Sequence, residues 1–324
     1  MHTTLFLISI LLIVLGGYLG VTGLRRVVGW RWRRRVQLAI LAAPLASLAI
    51  GVGGVVHFAG RACLLGAPRW DIVLMAALPL AMGLVLLGAL GLGAFRVILL
   101  HRIIGRSGFP APRPWAGIID DLLPGRRLPR PRLLLCAHDQ PLAFVCGVWR
   151  PTVLLSTWMV EHLDRRELEA VLAHELAHVA RRDYPLGWVA TVLRDAFCYL
   201  PTSGAVYRQL QREQELACDD LAVGATARPL ALAGALAKVW HAAATPPLAG
   251  AQGLVGAGGP LEERIGRLLA EVRPGPADGD RRSRVIALSV GTATVAGLLA
   301  FQVANLVLLL APLGCGPAAS LGGG

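Results

Sequence analysis

Along the chain, long uncharged apolar stretches alternate with segments that carry arginine. Residues 4–22, 36–58, 72–95 and 285–311 contain no Asp, Glu, Lys or Arg. A helix rising 1.5 Å per residue needs about 20 such residues to cross a hydrocarbon core of about 30 Å, so the pattern predicts four transmembrane helices. The first stretch precedes its arginines rather than following them, which reads as a retained anchor and not as a cleaved signal peptide. The segment 25–35, RRVVGWRWRRR, and the one following residue 95, with Arg96, Arg102 and Arg106, are strongly basic. The loop 59–71 between them has only Arg61 and Arg69 as cations. The positive-inside rule then puts the N-terminus and the 59–71 loop outside and the segment 96–284 in the cytoplasm.

Within 96–284 the periodicity changes. Residues 107–132 are rich in Pro, Gly and Arg and read as a linker with a short helix at IIDDLL. RLLLCA (132–137), LAFVCGV (142–148) and TVLLS (152–156) are short β-branched and apolar runs, the last two parted by the turn WRP, which predicts a small sheet. A helical period follows. Asp164 with Glu167 three residues on forms a capping box, and Leu168, Val171, Leu172, Leu176 and Val179 recur at helical spacing. Residues 184–201 are apolar but hold Arg194 and Asp195, which suits a helix lying against a core or a membrane surface. Another helix is expected over about 204–222, and a helical patch at LEERIGRLLAEV within a Gly/Ala/Pro-rich linker. The expected domains are thus a membrane domain over 1–106, a cytoplasmic domain over 107–284, a fourth span over 285–311 and a tail over 312–324.

Composition agrees with this layout. The chain is 55% hydrophobic and 16% charged, against about 25% charged in soluble domains. The net charge of +12 is almost all arginine, Lys238 being the single lysine. These arginines flank apolar runs, so we read them as juxtamembrane charge and expect no direct nucleic-acid partner. Cys63, Cys136, Cys146, Cys198, Cys218 and Cys315 form no C-x-x-C pair, so neither a cysteine zinc site nor a disulfide framework is supported.

The chemistry is concentrated in AHELAHVARRD, residues 173–183. His174 and His178 lie at i and i+4 on one helical face, close enough for both imidazoles to reach a single Zn²⁺. Glu175 sits where this motif places a general base that activates water. A catalytic zinc needs a third protein ligand, and EQELACDD (213–220) offers Glu215, with Asp219 four residues on suited to hold a histidine or the neighbouring helix. Glu213 and Asp220 are competing acids, and Asp183 is either a further support or a helix-end surface acid. Read alone, H-E-x-x-H is also compatible with a solvated face carrying two histidines.

The paired motifs HELAHVARRD and E-x-A-C-D resemble the BlaR/MecR-type membrane zinc metallopeptidases, gluzincins related to the HtpX proteases. DQPLAFVCGVWRPTVLLS, LDRRELEAVLAHELAH and GGPLEERIGRLL add to the resemblance, as does the layout of four spans. It implies a mainly α protein with a cytoplasmic α+β gluzincin domain and one Zn²⁺ held by His174, His178 and Glu215. Glu175 would be the catalytic base and Asp219 a structural partner. An edge strand at Ala143, Phe144 and Val145 would pair with an extended substrate by β-addition. The substrate implied is a protein: a BlaI/MecI-type winged-helix repressor, or else misfolded membrane proteins. A non-catalytic transducer on the same fold is the alternative. The reading expects a multi-pass plasma-membrane protein. No S-x-x-K or K-T-G element follows residue 311, so no penicillin-binding sensor domain is expected. His138, Arg228 and His241 are candidate oxyanion donors without an assignment.

Overall fold

The computed structural model describes residues 30–60, 69–122, 130–148, 150–244 and 261–270. It is mainly helical with one small mixed sheet. The elements in order are α1 (Trp30–Gly60), α2 (Arg69–Ser107), β1 (Gly108–Pro110), α3 (Arg113–Leu122), β2 (Arg132–Cys136), β3 (Ala143–Cys146), β4 (Thr152–Ser156) and α4 (Thr157–His162). After these come α5 (Arg165–Arg181), α6 (Asp183–Ala196), α7 (Pro201–Thr226), α8 (Pro229–Ala244) and α9 (Leu261–Leu269).

Two of the described helices contain stretches long and apolar enough to cross a bilayer, Arg33–Gly53 in α1 and Ala76–Ser107 in α2. They correspond to the second and third expected spans, whereas the first (4–22) and fourth (285–311) lie outside the described residues. Both helices extend past the limits set by charge. Arg33, Arg34 and Arg35 are helical rather than part of a loop, and α2 runs on through Arg96, Arg102 and Arg106. Arginine is a good helix former, so a charge marks where an apolar run stops, not where the helix does. On α2, Leu80, Leu84 and Leu87 are 60–65% exposed, an apolar surface that the described chain leaves bare.

The chain divides into two compact units. Among the described residues, one holds 30–60, 69–91 and 192–207, and the other 92–122, 130–148, 150–191, 208–244 and 261–270. In the first, the charge of Arg194 is paired with Asp195, and its guanidinium lies 4.4 Å from the centroid of the Tyr207 ring. The second unit contains the sheet, in the order β1-β2-β4-β3. β1 and β3 are antiparallel to their neighbours, and β2 is parallel to β4. Side chains alternate between the two faces. Leu133, Leu135, Val153 and Leu155 pack with Ile118, Ile119 and Met159 and with the α5 residues Leu168, Val171, Leu172 and Leu176. Leu134, Phe144, Cys146 and Leu154 face the other way, against Leu100 and Ile104 of α2 and Tyr184 of α6. Burial on both faces is why these strands read as unbroken apolar runs. The outer side of β3 carries no strand among the described residues, so Ala143, Phe144 and Val145 do form an edge.

The segment 107–132 is not a plain linker. Gly108, Phe109 and Pro110 pair with Cys136, Leu135 and Leu134, and α3 begins at Arg113. α8 is a further helix that the periodicity did not single out.

Candidate metal centre

α5 shows three working faces. Its leucines and Val171 cover the sheet. Ala170 and Ala173 pack with Ala222, Val223 and Leu232 of α7 and α8, their small size allowing close approach. His174 and His178 lie on the side of Glu215, whose carboxylate comes within ion-pair distance of both rings. The helix starts at the expected capping box: Asp164 accepts from the Glu167 N–H at 2.8 Å, and the Glu167 carboxylate accepts from the Asp164 N–H at 2.9 Å. Lys238 Nζ lies 2.6 Å from the same carboxylate. α5 stops at Arg182, which takes the left-handed conformation (φ 54°, ψ 43°). This one-residue turn brings Asp183 back to His178, with Oδ2 at 3.1 Å from Nδ1.

Two ring nitrogens and the Glu215 carboxylate converge. His174 Nε2 and His178 Nε2 are 3.2 Å apart. Glu215 Oε2 is 3.5 Å from the first, and Oε1 is 3.7 Å from the second. For ligands about 2.0–2.1 Å from a tetrahedral zinc, neighbouring donors lie about 3.3–3.4 Å apart, so a His-His-Glu set at these separations fits that ion. Both rings turn Nε2 inward and leave Nδ1 for a carboxylate. His174 Nδ1 is 3.0 Å from Asp219 Oδ1, and His178 Nδ1 faces Asp183. Carboxylates behind metal-binding histidines fix the ring orientation and raise the basicity of the ligand.

A buried arginine backs each carboxylate. Arg181 Nε reaches Asp183 Oδ2 at 2.8 Å. Arg264 donates to Asp219 at 2.8 and 2.7 Å, and its Nη1 lies 2.7 Å from Glu215 Oε2. Cys218 is fully buried, its Sγ 3.4 Å from His178 Nδ1 and 3.5 Å from Asp183 Oδ2. Burial pushes its thiol far above the ordinary range, so it is an inert packing residue.

The ionisable groups respond to this enclosure. Burial pushes His174 down, but Asp219 and Glu215 outweigh it and raise the metal-free imidazole to about 10. Burial likewise opposes ionisation of Glu215, yet His174, His178 and Arg264 hold it well below the usual carboxylate range. Asp183 and Asp219 are also held low, against burial, by their histidine and arginine partners. Glu175, on the same helix, is buried. Desolvation raises its carboxyl above the ordinary value even though His174 and His178 pull it down.

The structure therefore brings His174, His178, Glu215 and Asp219 together and places Asp183 with them. The competing acids lie elsewhere: Glu213 accepts from Gln209, and Asp220 pairs with Arg267. Of the candidate oxyanion donors, Arg228 is paired with Glu169 and His138 bonds Gln140 of its own loop. Sequence reasoning missed Arg181 and Arg264. The second lies in the LEERIGRLL patch, whose two glutamates and two arginines gave no signal of which arginine is buried.

Comparison with known proteins agrees with this geometry. Residues 127–268 match the family described as BlaR1 peptidase M56. The chain is 32% identical over 173 residues to "Protease HtpX homolog 1" of Streptomyces coelicolor, covering 43% of this chain and 56% of that one. It is 32% identical over 124 residues to an HtpX homologue of Thermodesulfovibrio yellowstonii, covering 36% and 44%. A third, from Salinibacter ruber, is 28% identical over 197 residues, covering 47% and 71%. The chain thus spans little more than half the length of the first of these relatives and less than half of the second. Residues 127–268 are thus similar to the BlaR1 peptidase M56 family, and part of the chain is distantly similar to the HtpX proteases.

Proposed function

We propose that this chain is a membrane-anchored, zinc-dependent endopeptidase. The observation that carries the reading is the convergence of His174 Nε2, His178 Nε2 and the Glu215 carboxylate, one oxygen near each ring, at separations that suit one ion, each histidine backed by a carboxylate. A zinc bound there supplies Lewis-acid polarisation of a peptide carbonyl and lowers the pKa of water toward about 7. Glu175 takes the proton from the attacking water and passes it to the leaving amine. Its raised carboxyl stays closer to the pH at which a base must also act as an acid. Asp219 and Asp183 keep the rings aimed. β3 lies against α5, and its free edge receives an extended substrate through main-chain hydrogen bonds at Ala143–Val145.

In this reading residues 1–106 are the membrane domain, 107–284 the peptidase domain and 285–311 a further span. The N-terminus is outside and the peptidase faces the cytoplasm of a multi-pass plasma-membrane protein. The substrate suggested by the BlaR resemblance is a BlaI/MecI-type winged-helix repressor. A second reading, membrane-protein quality control, is favoured by one contact. The Trp188 indole N–H donates to Gly93 O at 3.3 Å, within the candidate span Ala76–Ser107. Asp183, which holds His178, lies on the same helix as Trp188, about 7.5 Å of helical rise away. The metal centre is thus tied closely to a membrane-crossing helix, which suits substrates that are themselves held at the bilayer.

The test is cleavage of a denatured protein by the full chain in lipid nanodiscs, beside Glu175→Gln. The reading expects cleavage by wild type and none by the variant, with zinc retained in both. Equal cleavage by the two would refute it. Tethering the same substrate to the nanodisc separates the substrate classes, since a preference for the tethered form supports the second.

A further inference from the structure

We propose that Arg264 is a positioning residue of the metal centre, which fixes how Glu215 presents its carboxylate to the ion. The inference rests on the zinc-site reading above. A single guanidinium spans two carboxylates with different tasks. Nε and Nη2 form a fork on Asp219, at 2.8 and 2.7 Å, and Asp219 in turn lies 3.0 Å from His174 Nδ1. The third nitrogen, Nη1, lies 2.7 Å from Oε2 of Glu215. Arg264 is buried, so these contacts are little screened by water.

Two consequences follow from the geometry. With Oε2 engaged by Arg264, Oε1 is left as the freer donor, so a bound ion would be held by one oxygen of Glu215 rather than by both. The fork also links the third ligand to the support of the first, so Glu215 and His174 are held in one arrangement. Only a planar group with donors on three nitrogens makes all of these contacts at once; an ammonium is a point charge. Arg181 is paired with Asp183, which lies behind the Nδ1 of His178. Arg264 arrives on α9, which is also paired to α7 through Arg212 with Glu263 and through Arg267 with Asp220. The positioning group therefore comes from an element separate in sequence from both motif helices.

The test uses the full chain in nanodiscs. Zinc affinity is measured by chelator competition, and ligand geometry by the visible spectrum of the cobalt-substituted protein, for wild type, Arg264→Gln, Arg264→Lys and Arg212→Gln. Arg264→Gln should weaken zinc binding about 10–100-fold. It should also change the cobalt bands toward the weaker pattern of a five-coordinate ion as Glu215 becomes bidentate. Arg264→Lys should fall between, and Arg212→Gln, which loosens α9 without touching the ligands, should keep the wild-type spectrum. If Arg264→Gln does not fold, Arg264→Lys carries the same comparison. Wild-type affinity and spectrum in a folded Arg264→Gln would overturn the inference, as would the same spectral change in Arg212→Gln. Failure of the wild type itself to bind zinc would instead overturn the reading of the site.

Discussion

Replacing Asp219 by Asn separates two roles that the structure gives to one carboxylate. Asp219 lies 3.0 Å from His174 Nδ1 and accepts from Arg264 at 2.7 and 2.8 Å, and all three side chains are buried. Removing one partner of a buried ion pair costs about 3–5 kcal/mol, because the other charge is left uncompensated. Asn keeps the shape, and Glu215 still accepts from Arg264, so about 3 kcal/mol is expected. Loss of the carboxylate behind a ligand histidine weakens metal binding about 10–100-fold, or about 1.4–2.7 kcal/mol. The stability effect is therefore the larger, and thermal unfolding of the metal-free protein should show it before any zinc is added. The pH dependence follows from the directions of the shifts. Asp219 is held below its ordinary value of 3.8, so its contribution is present above that pH and is lost as pH falls through the lower folded value. His174 is raised from 6.5 to about 10, so its contribution is full below 6.5 and is lost as pH rises through 10. The gap between wild type and Asp219→Asn should thus be widest between pH 4 and 6.5 and narrow on either side. A gap that does not narrow as pH falls below 3.8 or rises from 6.5 through 10 would refute the reasoning.

Because metal-free His174 carries a proton up to about pH 10, zinc binding at pH 7 should release about one proton from it, read by calorimetry in buffers of different ionisation enthalpy. No buffer dependence would contradict that. Gly147 has φ +92°, and a Cβ there would clash with Arg150 O. Gly147→Ala should cost about 1–3 kcal/mol, lower the melting temperature and raise KM more than it changes kcat, since the turn sets the edge strand β3. At the start of α5, Asp164→Ala should cost about 1 kcal/mol through the lost cap. Lys238→Met should cost less, because that lysine is 46% exposed and its pair with Glu167 is screened. Denaturant melts of the two variants give the order.

The parts of this fold written in local periodicity were readable in the chain. The capping box at Asp164 and Glu167, the i, i+4 placement of His174 and His178, and the same spacing of Glu215 and Asp219 all depend on residues within one helix. The alternation that puts Ala143 and Val145 on one face of β3 is equally local. What was missed depends on distant partners. β1 is three residues long and is a strand only because Cys136, Leu135 and Leu134 pair with it. α2 passes through three arginines because helix propensity and apolar length are separate properties. α8, rich in Ala and Leu, shows no strong period. Arg264 lies 45 residues from Asp219, and nothing at that range marks one of several arginines as the buried one. Asp183 was a candidate, but its role depends on the left-handed turn at Arg182, which favours Gly or Asn and is unexpected at an arginine.

The central claim is that His174, His178 and Glu215 hold one zinc ion. Metal analysis of the full chain, purified without chelators in nanodiscs, tests it most directly beside Glu215→Ala. The account predicts about one zinc per chain in wild type and a clear loss in the variant, with its helical content intact. Absence of zinc from the wild type, or equal zinc in a folded Glu215→Ala, would contradict it.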